Sequence, residues 1–370
     1  MNNRIKNIYI PKLRFKGFAD LLIRKKLNDI CIIKKGDQIN NSELKESGLY
    51  YYQNGGIEPS GWLDNFNNEG NAISISEGGE SCGFIKWHDL PFWSGGHLYT
   101  LDINDKNINK KYIYFLLKAN QKFIMKLRNG SSIPNIQKQD LNKFFLFHSN
   151  NLNEQEKIAK FFSLLDQQLS LFENKLQLIE QKFEYFLNYL FNKKTFNGKK
   201  ALTLLKEISV IIKGDQINSS KLKESGLYYY QNGGIEPSGW LDDFNRGKNT
   251  ISINEGGSCG IVKWHDLPFW SGGHLYTLEI KNKVLINNKY LYYLLKCNEK
   301  KITKLQKGSS LKNIQKKDLE KMNISYLTNI NEQILIVKFL NVIEKQKELL
   351  RKKINFLIIK KKYFLTKIFI

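Results

Sequence analysis

The strongest constraint on this 370-residue chain is an internal repeat. Residues 44–64 read LKESGLYYYQNGGIEPSGWLD, and residues 222–242 repeat that segment without a substitution. A second identical pair, KWHDLPFWSGGHLYTL, occupies residues 86–101 and 263–278, and Glu80 is an extra residue in the first copy. Because identical segments select identical local structure, the chain is predicted to form two similar folded units.

Each copy contains short β-type runs and one helical segment. In the first copy NAISIS, FIKWH and HLYTLDI alternate apolar and polar residues, and KYIYFLLKANQKFIMKL at residues 111–127 has helical spacing. Glycine-rich turns separate these runs. We therefore predict one α/β globule over about residues 20–150 and a second over about residues 200–328.

The segment after each globule changes to a heptad period, which is typical of a coiled-coil seam. The apolar positions of the first copy are Ile158, Phe162, Leu165, Leu169, Phe172, Leu176, Ile179, Phe183, Phe186 and Leu190. Those of the second copy are Ile336, Leu340, Ile343, Leu350, Ile354, Leu357, Phe364 and Ile368, with Lys347 and Lys361 as polar exceptions. We expect two long helices that pair. A lysine on their seam either fixes the register at a cost in stability or extends its amine to water.

The linker FNKKTFNGKKALTL at residues 191–204 is short, so the second globule begins near the far end of the first helix. This favours antiparallel helices and internal pseudo-two-fold symmetry. The predicted fold class is α+β, with two α/β globules joined by two long antiparallel coiled-coil helices. A helix from about residue 153 to residue 191 would measure ~58 Å at ~1.5 Å per residue, comparable to ~17 base pairs at ~3.4 Å each. The predicted boundaries are residues 1–150 and 196–328 for the globules, and 151–195 and 329–370 for the helices.

The charge balance favours a polyanionic partner. There are 58 Lys and Arg against 35 Asp and Glu, a net charge of +23. Cationic side chains near phosphates release condensed counterions, which favours nucleic-acid binding. An AT-rich genome that encodes many lysines is the alternative explanation of this composition.

Several features predict a cytoplasmic protein. The cysteines Cys31, Cys82, Cys259 and Cys297 are widely separated and suggest no disulfide framework. The basic N-terminal segment lacks an apolar core, so we expect no signal peptide. Lysines interrupt the apolar C-terminal segment, so we expect no membrane span.

The first predicted helix carries a family resemblance. The segment NLNEQEKIAKFFSLLDQQLSLFENKLQLIEQKFEYFLNYLF resembles the conserved helical region of type I restriction-modification specificity subunits. The segment PKLRFKGF at residues 11–18 and the stretch from GSSIPNI to DL before the helix are also similar to that family. The second copy keeps Glu332, Gln333 and Phe339, but has Val337 in place of the usual alanine and Glu344 in place of the usual aspartate.

The resemblance implies a non-catalytic DNA-recognition subunit with two target recognition domains. Each domain would read one half of a split site in double-stranded DNA, and the helices would set the spacer and dock methyltransferase subunits, of which we expect two. Restriction and translocase subunits would join this assembly. S-adenosylmethionine, ATP and magnesium would bind those partners, and we expect no cofactor on this chain. Because identical side chains select identical base edges, the two domains here predict a near-palindromic site.

The catalytic motifs missing from the sequence agree with this interpretation. There is no consecutive Pro-Pro, and hence no amino-methyltransferase motif; there is also no P-loop and no convincing nuclease cluster. The spacing of the cysteines and histidines does not fit a zinc site. The alternative is a duplicated ligand-binding or scaffold protein on a coiled coil, whose tryptophans would suit carbohydrate binding. A stand-alone restriction enzyme is a third hypothesis.

Two turns supply the first set of candidate DNA contacts. The amides of the QNGG turns could pair with adenine, and their glycines permit close approach; a purely structural turn is an equal alternative. These residues are Gln53, Asn54, Gly55, Gly56, Gln231, Asn232, Gly233 and Gly234. The GGESCG and GGSCG loops are interpreted as tight turns that let the backbone approach another surface.

The segment WHDLPFWSGGH and the GSS turns supply the second set. Groove-facing candidates are Lys86, His88, Trp93, Ser94 and His97, and their equivalents Lys263, His265, Trp270, Ser271 and His274. The alternative is a core role for the tryptophans Trp87 and Trp93. The serines Ser131 and Ser309 either cap the following helix or bind phosphate together with Arg128, Lys138, Lys307 and Lys316.

Overall fold

The computed structural model describes residues 8–130, 134–192, 198–309 and 312–369. The chain divides into two compact units. The first unit contains the described residues up to Glu173 and those from Lys352 onward, and the second runs from Asn174 to Arg351. Ser131 lies outside the described residues, so its predicted role stays a prediction.

The first half of the chain contains ten strands and three α-helices among its described residues. The strands are β1 (Ile8–Tyr9), β2 (Leu22–Lys26), β3 (Ile32–Lys35), β4 (Tyr50–Gln53), β5 (Gly61–Leu63), β6 (Ala72–Ser76), β7 (Ile85–His88), β8 (Phe92–Ser94), β9 (Leu98–Asp102) and β10 (Phe145–His148). The helices are α1 (Lys110–Ile124), α2 (Lys138–Lys143) and α3 (Leu152–Asn192).

The second half repeats this order. Its strands are β11 (Lys200–Leu204), β12 (Ser209–Lys213), β13 (Tyr228–Gln231), β14 (Gly239–Leu241), β15 (Thr250–Asn254), β16 (Val262–His265), β17 (Trp270–Ser271), β18 (Leu275–Ile280) and β19 (Asn323–Leu327). Its helices are α4 (Leu205–Ile208), α5 (Asn288–Cys297), α6 (Glu299–Thr303), α7 (Lys316–Glu320) and α8 (Ile330–Phe369).

The predicted β-runs form a four-stranded antiparallel sheet in each unit. Its order is β3-β9-β6-β7 in the first unit and β12-β18-β15-β16 in the second. Ile73 and Ile75 of β6 are fully buried in the core, as are Ile251 and Ile253 of β15. The alternating runs were therefore predicted correctly, and the mixed helix-and-sheet fold class is confirmed.

A smaller sheet presents the turns of interest. Its order is β5-β4-β8 in the first unit and β14-β13-β17 in the second, with the last strand parallel to the middle one. Gln53 pairs with Ser94, and Gln231 pairs with Ser271, so the QNGG turn and the SGGH turn leave the same edge of this sheet.

The predicted helix at 111–127 is also confirmed. It forms α1 followed by a short 3-10 turn, and the Asn109 side chain caps it by accepting a hydrogen bond from the Tyr112 backbone N–H. Asn287 caps α5 in the same way, through the Tyr290 N–H. Phe115 of α1 is fully buried in the core.

The long helices run antiparallel within the first unit. Phe162 near the start of α3 stacks on Phe369 at the end of α8, with ring centroids 5.7 Å apart, and Phe161 packs against Phe364 at 5.1 Å. Farther along α3, Asp166 contacts the Lys361 amine. Residues farther along α3 therefore contact residues nearer the start of α8, which is the antiparallel direction that was predicted.

The same direction holds within the second unit. Phe186 of α3 packs against Phe339 of α8 at 4.9 Å, and Glu180 accepts a hydrogen bond from Arg351 at 2.6 Å. All the predicted seam positions are buried or half-buried, so the heptad interpretation is confirmed. The Lys347 amine lies 4.2 Å from the centre of the Phe183 ring, and burial lowers its pKa.

A glutamine anchors each long helix to the globule before it. Gln155 accepts a hydrogen bond from the Asn109 backbone N–H at 2.8 Å and donates to the Ser149 and Asn107 carbonyls at 2.8 and 3.3 Å. Gln333 accepts from the Asn287 N–H at 2.8 Å and repeats these contacts in the second unit. The shared NEQ sequence therefore fixes the start of each helix.

Candidate nucleic-acid interface

The QNGG turns are shaped by a buried glutamine and a lysine. Gln53 is completely buried; its amide donates to the carbonyls of Gly56 and Glu58, and its oxygen accepts from the Lys86 amine at 2.8 Å. The Lys86 amine also donates to the Ile57 carbonyl at 2.8 Å, and burial lowers its pKa. These two side chains support the turn from inside, so the predicted direct base contact by Gln53 does not fit the structure.

The second unit repeats this support. Gln231 is buried and donates to the Gly234 carbonyl at 2.7 Å, and the Lys263 amine donates to the same carbonyl at 3.0 Å. Burial also lowers the pKa of Lys263. Gln231 is therefore also a structural residue, and the alternative of a structural turn is the better description of both glutamines.

The asparagines and glycines of the turns hold the neighbouring histidine loop. The Asn54 and Asn232 side chains accept hydrogen bonds from the backbone N–H of His97 and His274, each at 3.0 Å. Gly55 has a φ of +86°, and a Cβ there would lie 2.8 Å from the His97 carbonyl oxygen. Gly233 has a φ of +80°. Glycine is required at these two positions by both backbone conformation and close packing.

Both WHD histidines are buried core residues, which corrects their prediction as groove-facing. The His88 ring bonds Tyr51 Oη at 2.8 Å and Ser74 Oγ at 2.6 Å, and it stacks on Phe92 at 3.8 Å. Burial, with a contribution from the charge of Lys86, lowers the pKa of His88 to about 3. Both ring nitrogens are therefore bonded inside the protein, and the buried ring is not presented to a groove.

His265 makes the same contacts in the second unit. It bonds Tyr229 Oη at 2.8 Å and Ser252 Oγ at 2.7 Å, and burial lowers its pKa to about 3. The prediction of DNA contact is also wrong for Ser94 and Ser271, because both are buried. Their hydroxyls lie against the turns at Gly36 and Gly214, where an added Cβ would be 2.4 Å away.

Trp93 and Trp270 are half-buried and donate hydrogen bonds to the backbone carbonyls of Asp37 and Asp215, each at 3.0 Å. Trp87 is half-buried, and the Lys111 amine lies 3.8 Å from its ring centre. These contacts fit the structural alternative for the tryptophans.

The remaining predicted DNA contacts among the described residues lie on the surface. His97, His274, Arg128, Lys138, Lys307, Ser309 and Lys316 are exposed. Lys307 pairs with Asp318 at 2.7 Å, and Lys316 lies 3.8 Å from Glu320. Gln137 and Gln315 occupy the N-cap positions of α2 and α7, so Ser309 does not cap the following helix.

A cleft in the first unit brings four of the predicted residues together. Its volume is about 940 Å³, and Asn54, Gly55, Gly56 and His97 line it. The facing wall is the loop from Glu77 to Ser81, which the sequence suggested only as a tight turn. Glu77 holds this wall by accepting from the Lys35 amine at 2.7 Å and from Tyr99 Oη at 2.8 Å.

The part of the chain that the structure describes contains no group of His, Cys, Asp and Glu side chains arranged to hold a metal ion. No helix within the described ranges is both long and apolar enough to span a membrane.

Comparison with known proteins agrees with this architecture. The family described as type I restriction modification DNA specificity domain matches twice, over residues 24–181 and 199–357. A Mycoplasma genitalium protein named as a type I specificity subunit is 26% identical over 97% of this chain and 96% of its own length. A Mycoplasma pneumoniae protein with the same kind of name is 27% identical over 71% of this chain and 72% of its own length.

A solved structure shows the same fold. The crystal structure of a type I restriction-modification S subunit from M. genitalium has 26% identity, a TM-score of 0.79, and coverage of 98% of this chain and 99% of that chain. The family match confirms the prediction of two DNA specificity domains in a non-catalytic recognition subunit. The chain therefore belongs to the type I restriction-modification specificity subunit family.

Proposed function

We propose that this chain reads a bipartite, near-palindromic site in double-stranded DNA, one half-site with each unit. The observation that carries the proposal is the matched pair of turns. In both units the asparagine accepts from the histidine backbone N–H, the glutamine amide donates to the carbonyl of the second glycine, and the lysine donates to the following isoleucine carbonyl. The exposed cations, including Arg128 and Lys138 in the first unit and Lys307 in the second, would contact phosphates. The half-exposed turns would approach base edges.

The long helices are proposed to dock methyltransferase subunits. In the first unit, Leu164 and Leu171 of α3 are 55% and 63% exposed. In the second unit, Leu178 and Tyr185 are 65% and 59% exposed. Residues seven apart share one helix face, so these four side chains form an apolar stripe of α3 outside the buried seam. This exposed stripe supports docking of methyltransferase subunits, of which we propose two.

The other parts of the assembly follow from the family assignment. Restriction and translocase subunits would join the methyltransferase core. S-adenosylmethionine, ATP and magnesium would bind those partners, with no cofactor on this chain, and the assembly would work in the cytoplasm. The 41-residue helix α3 is about 60 Å long at 1.5 Å per residue, which supports a role in setting the spacer.

Sequencing of methylated DNA tests the proposed site. The chain would be co-expressed with its methyltransferase subunits and given a random DNA library, and the methylated sequences would be recovered. Two inverted half-sites that share nearly all their bases are the expected result. Two unrelated half-sites would contradict the near-palindrome. A protein that binds through phosphate contacts should lose roughly 10³-fold or more of its DNA affinity when the salt concentration rises from about 50 to about 200 mM. An affinity that stays constant over this range would favour the ligand-binding alternative.

A charge on the exposed stripe tests docking. Leu171→Asp should reduce co-purification of the methyltransferase, because it places a carboxylate in an apolar interface. Ser170→Asp is the matched control, since Ser170 is also exposed and neighbouring helix positions point about 100° apart. Equal loss of partner in both variants, or no loss in either, would contradict this docking surface.

A further inference from the structure

We propose that Glu80 makes the two reading units unequal, and that the first unit uses its carboxylate to select cytosine at one position of its half-site. The second unit has no residue at this place, because Glu80 is an extra residue in the first copy. The site would then be an inverted repeat broken at this position. This inference rests on the proposed function and specifies which base pair departs from symmetry.

In the first unit the loop with Glu80 stands apart from the QNGG turn. A Cβ added to Gly79 would have no atom within 4 Å. Two serine hydroxyls cross the gap to the Gly55 carbonyl: Ser76 Oγ, at 2.6 Å, and Ser81 Oγ. The result is the cleft of about 940 Å³ with Glu80 in its lining.

In the second unit the shorter loop lies directly on the turn. The Ser258 backbone N–H donates to the Gly233 carbonyl at 3.1 Å, so main chain replaces the serine hydroxyl of the first unit. A Cβ on Gly257 would lie 3.0 Å from the Gly233 carbonyl oxygen. Asn254, which replaces Ser76, donates its amide to the same oxygen at 2.7 Å. The route that is open beside Gly55 is filled here by backbone and by the Asn254 amide.

The contacts of the two acidic residues in the cleft distinguish their roles. The Glu77 carboxylate accepts hydrogen bonds from Lys35 and Tyr99, and its side chain is 12% exposed. Glu80 is exposed, and among the described residues its carboxylate has no hydrogen bond or ion pair. Glu80 is therefore the acceptor in this loop that is available to a ligand.

The chemistry of a carboxylate determines which base it accepts. It offers only acceptors and is repelled by phosphates, so on a DNA-facing loop it needs a donor on a base edge. In the major groove, guanine presents acceptors at N7 and O6, and thymine presents O4 and a methyl group. Cytosine presents the N4 amino group, with which Glu and Asp side chains pair. Adenine also presents an amino group, at N6, but the neighbouring N7 acceptor disfavours a carboxylate there. We expect a preference for cytosine of about tenfold over guanine or thymine.

The test compares loops in the complex with the methyltransferase. Wild type should methylate half-sites that match except at one position, where one half carries cytosine. Deletion of Glu80 combined with Ser76→Asn recreates the second loop in the first unit, and it should remove this difference. Glu80→Gln keeps the loop length and should shift the preference from cytosine to adenine, because a glutamine amide pairs with adenine N6 and N7. This substitution also gives a result if the deletion variant does not fold.

Glu43→Lys is the matched control. Like the loop deletion, this substitution gives the first copy the residue that the second copy has at the equivalent position, which is Lys221. Glu43 lies on an exposed turn outside the cleft, so the base preference should not change. A perfect palindrome in wild type, an asymmetry that persists without Glu80, or a first-choice base other than cytosine would each overturn the inference. Those outcomes keep a bipartite repeat and leave the proposed function intact, whereas unrelated half-sites would remove the proposed function itself.

Discussion

The buried histidines predict a specific loss of stability in mild acid. The pKa of His88 is about 3 in the folded protein, because burial disfavours the charged ring, whereas an unfolded histidine has a value of about 6.5. The stabilisation is therefore complete above about pH 6.5 and is lost as the pH falls from there towards 3. At pH 5 the loss is 2.3RT·log(1 + 10^1.5), about 2 kcal/mol. His265 should cost the second unit the same amount, since its pKa is also about 3.

NMR of ring-labelled histidines measures this effect directly. The ring signals of His88 and His265 should keep their neutral positions from pH 7.5 to pH 5.5. In His88→Gln one of the two signals should disappear, which assigns it to His88. The same variant should also be less sensitive to acid: the unfolding free energy that the first unit loses between pH 7.5 and pH 5 should be smaller by about 2 kcal/mol. His97→Gln, at an exposed ring, is the control. A His88 signal that titrates with a midpoint between pH 6 and 7 would refute the reasoning.

Three further substitutions test the packing of each unit. Gln155→Ala should lower the unfolding free energy of the first unit by about 2–4 kcal/mol, because it leaves the buried backbone groups around α3 unpaired; a loss below about 1 kcal/mol in urea unfolding would contradict the anchor. Arg14→Ala should lower the unfolding free energy by about 3–5 kcal/mol, because it leaves the buried Glu154 carboxylate without the guanidinium that bonds it at 2.6 and 2.7 Å. Replacing both residues with leucine should lower it less, since no charge is then buried alone. An equal loss in the two variants would contradict the explanation by an unpaired charge. Gly95→Ala should destabilise the first unit by about 1–3 kcal/mol, because its Cβ would lie 2.5 Å from Asn54 Oδ1; unchanged thermal unfolding would show that the loop relaxes freely.

Periodicity was sufficient to predict the large elements. The heptad positions from Ile158 to Leu190 depend only on spacing along one helix, so the seam could be identified without knowledge of its partner. The antiparallel direction followed from the short linker, because chain connectivity limits where the second globule begins. The α/β character of each globule followed from β-runs whose period differs from that of the helices.

The misassigned site residues show what periodicity cannot supply. His88 is adjacent to charged Asp89 and was predicted to face the groove. Its partners are Tyr51 on β4 of the smaller sheet and Ser74 on β6, the strand next to its own. Gln53 was misassigned for a similar reason, since Lys86 reaches it across the fold. Such contacts depend on which strands lie next to each other. The NEQ sequence shared by both copies indicated that Gln155 has a role. No sequence pattern indicated that it would bond the loop before α1.

The repeated sequence makes each unit a control for the other. At the buried histidines, identical residues make matching contacts: Tyr51 to His88 and Tyr229 to His265 are both 2.8 Å. The contacts differ at the carbonyl oxygens of Gly55 and Gly233, which face the two loops of unequal length. The inserted residue in the first loop changes which atoms reach that oxygen. A substitution at an identical position should therefore have the same effect in both units, as for Gly95→Ala and Gly272→Ala. A substitution in the Glu80 loop should affect the first unit alone. If paired substitutions at identical positions gave different effects, local sequence would not determine the shape of these turns, and the basis for matched half-sites would be lost.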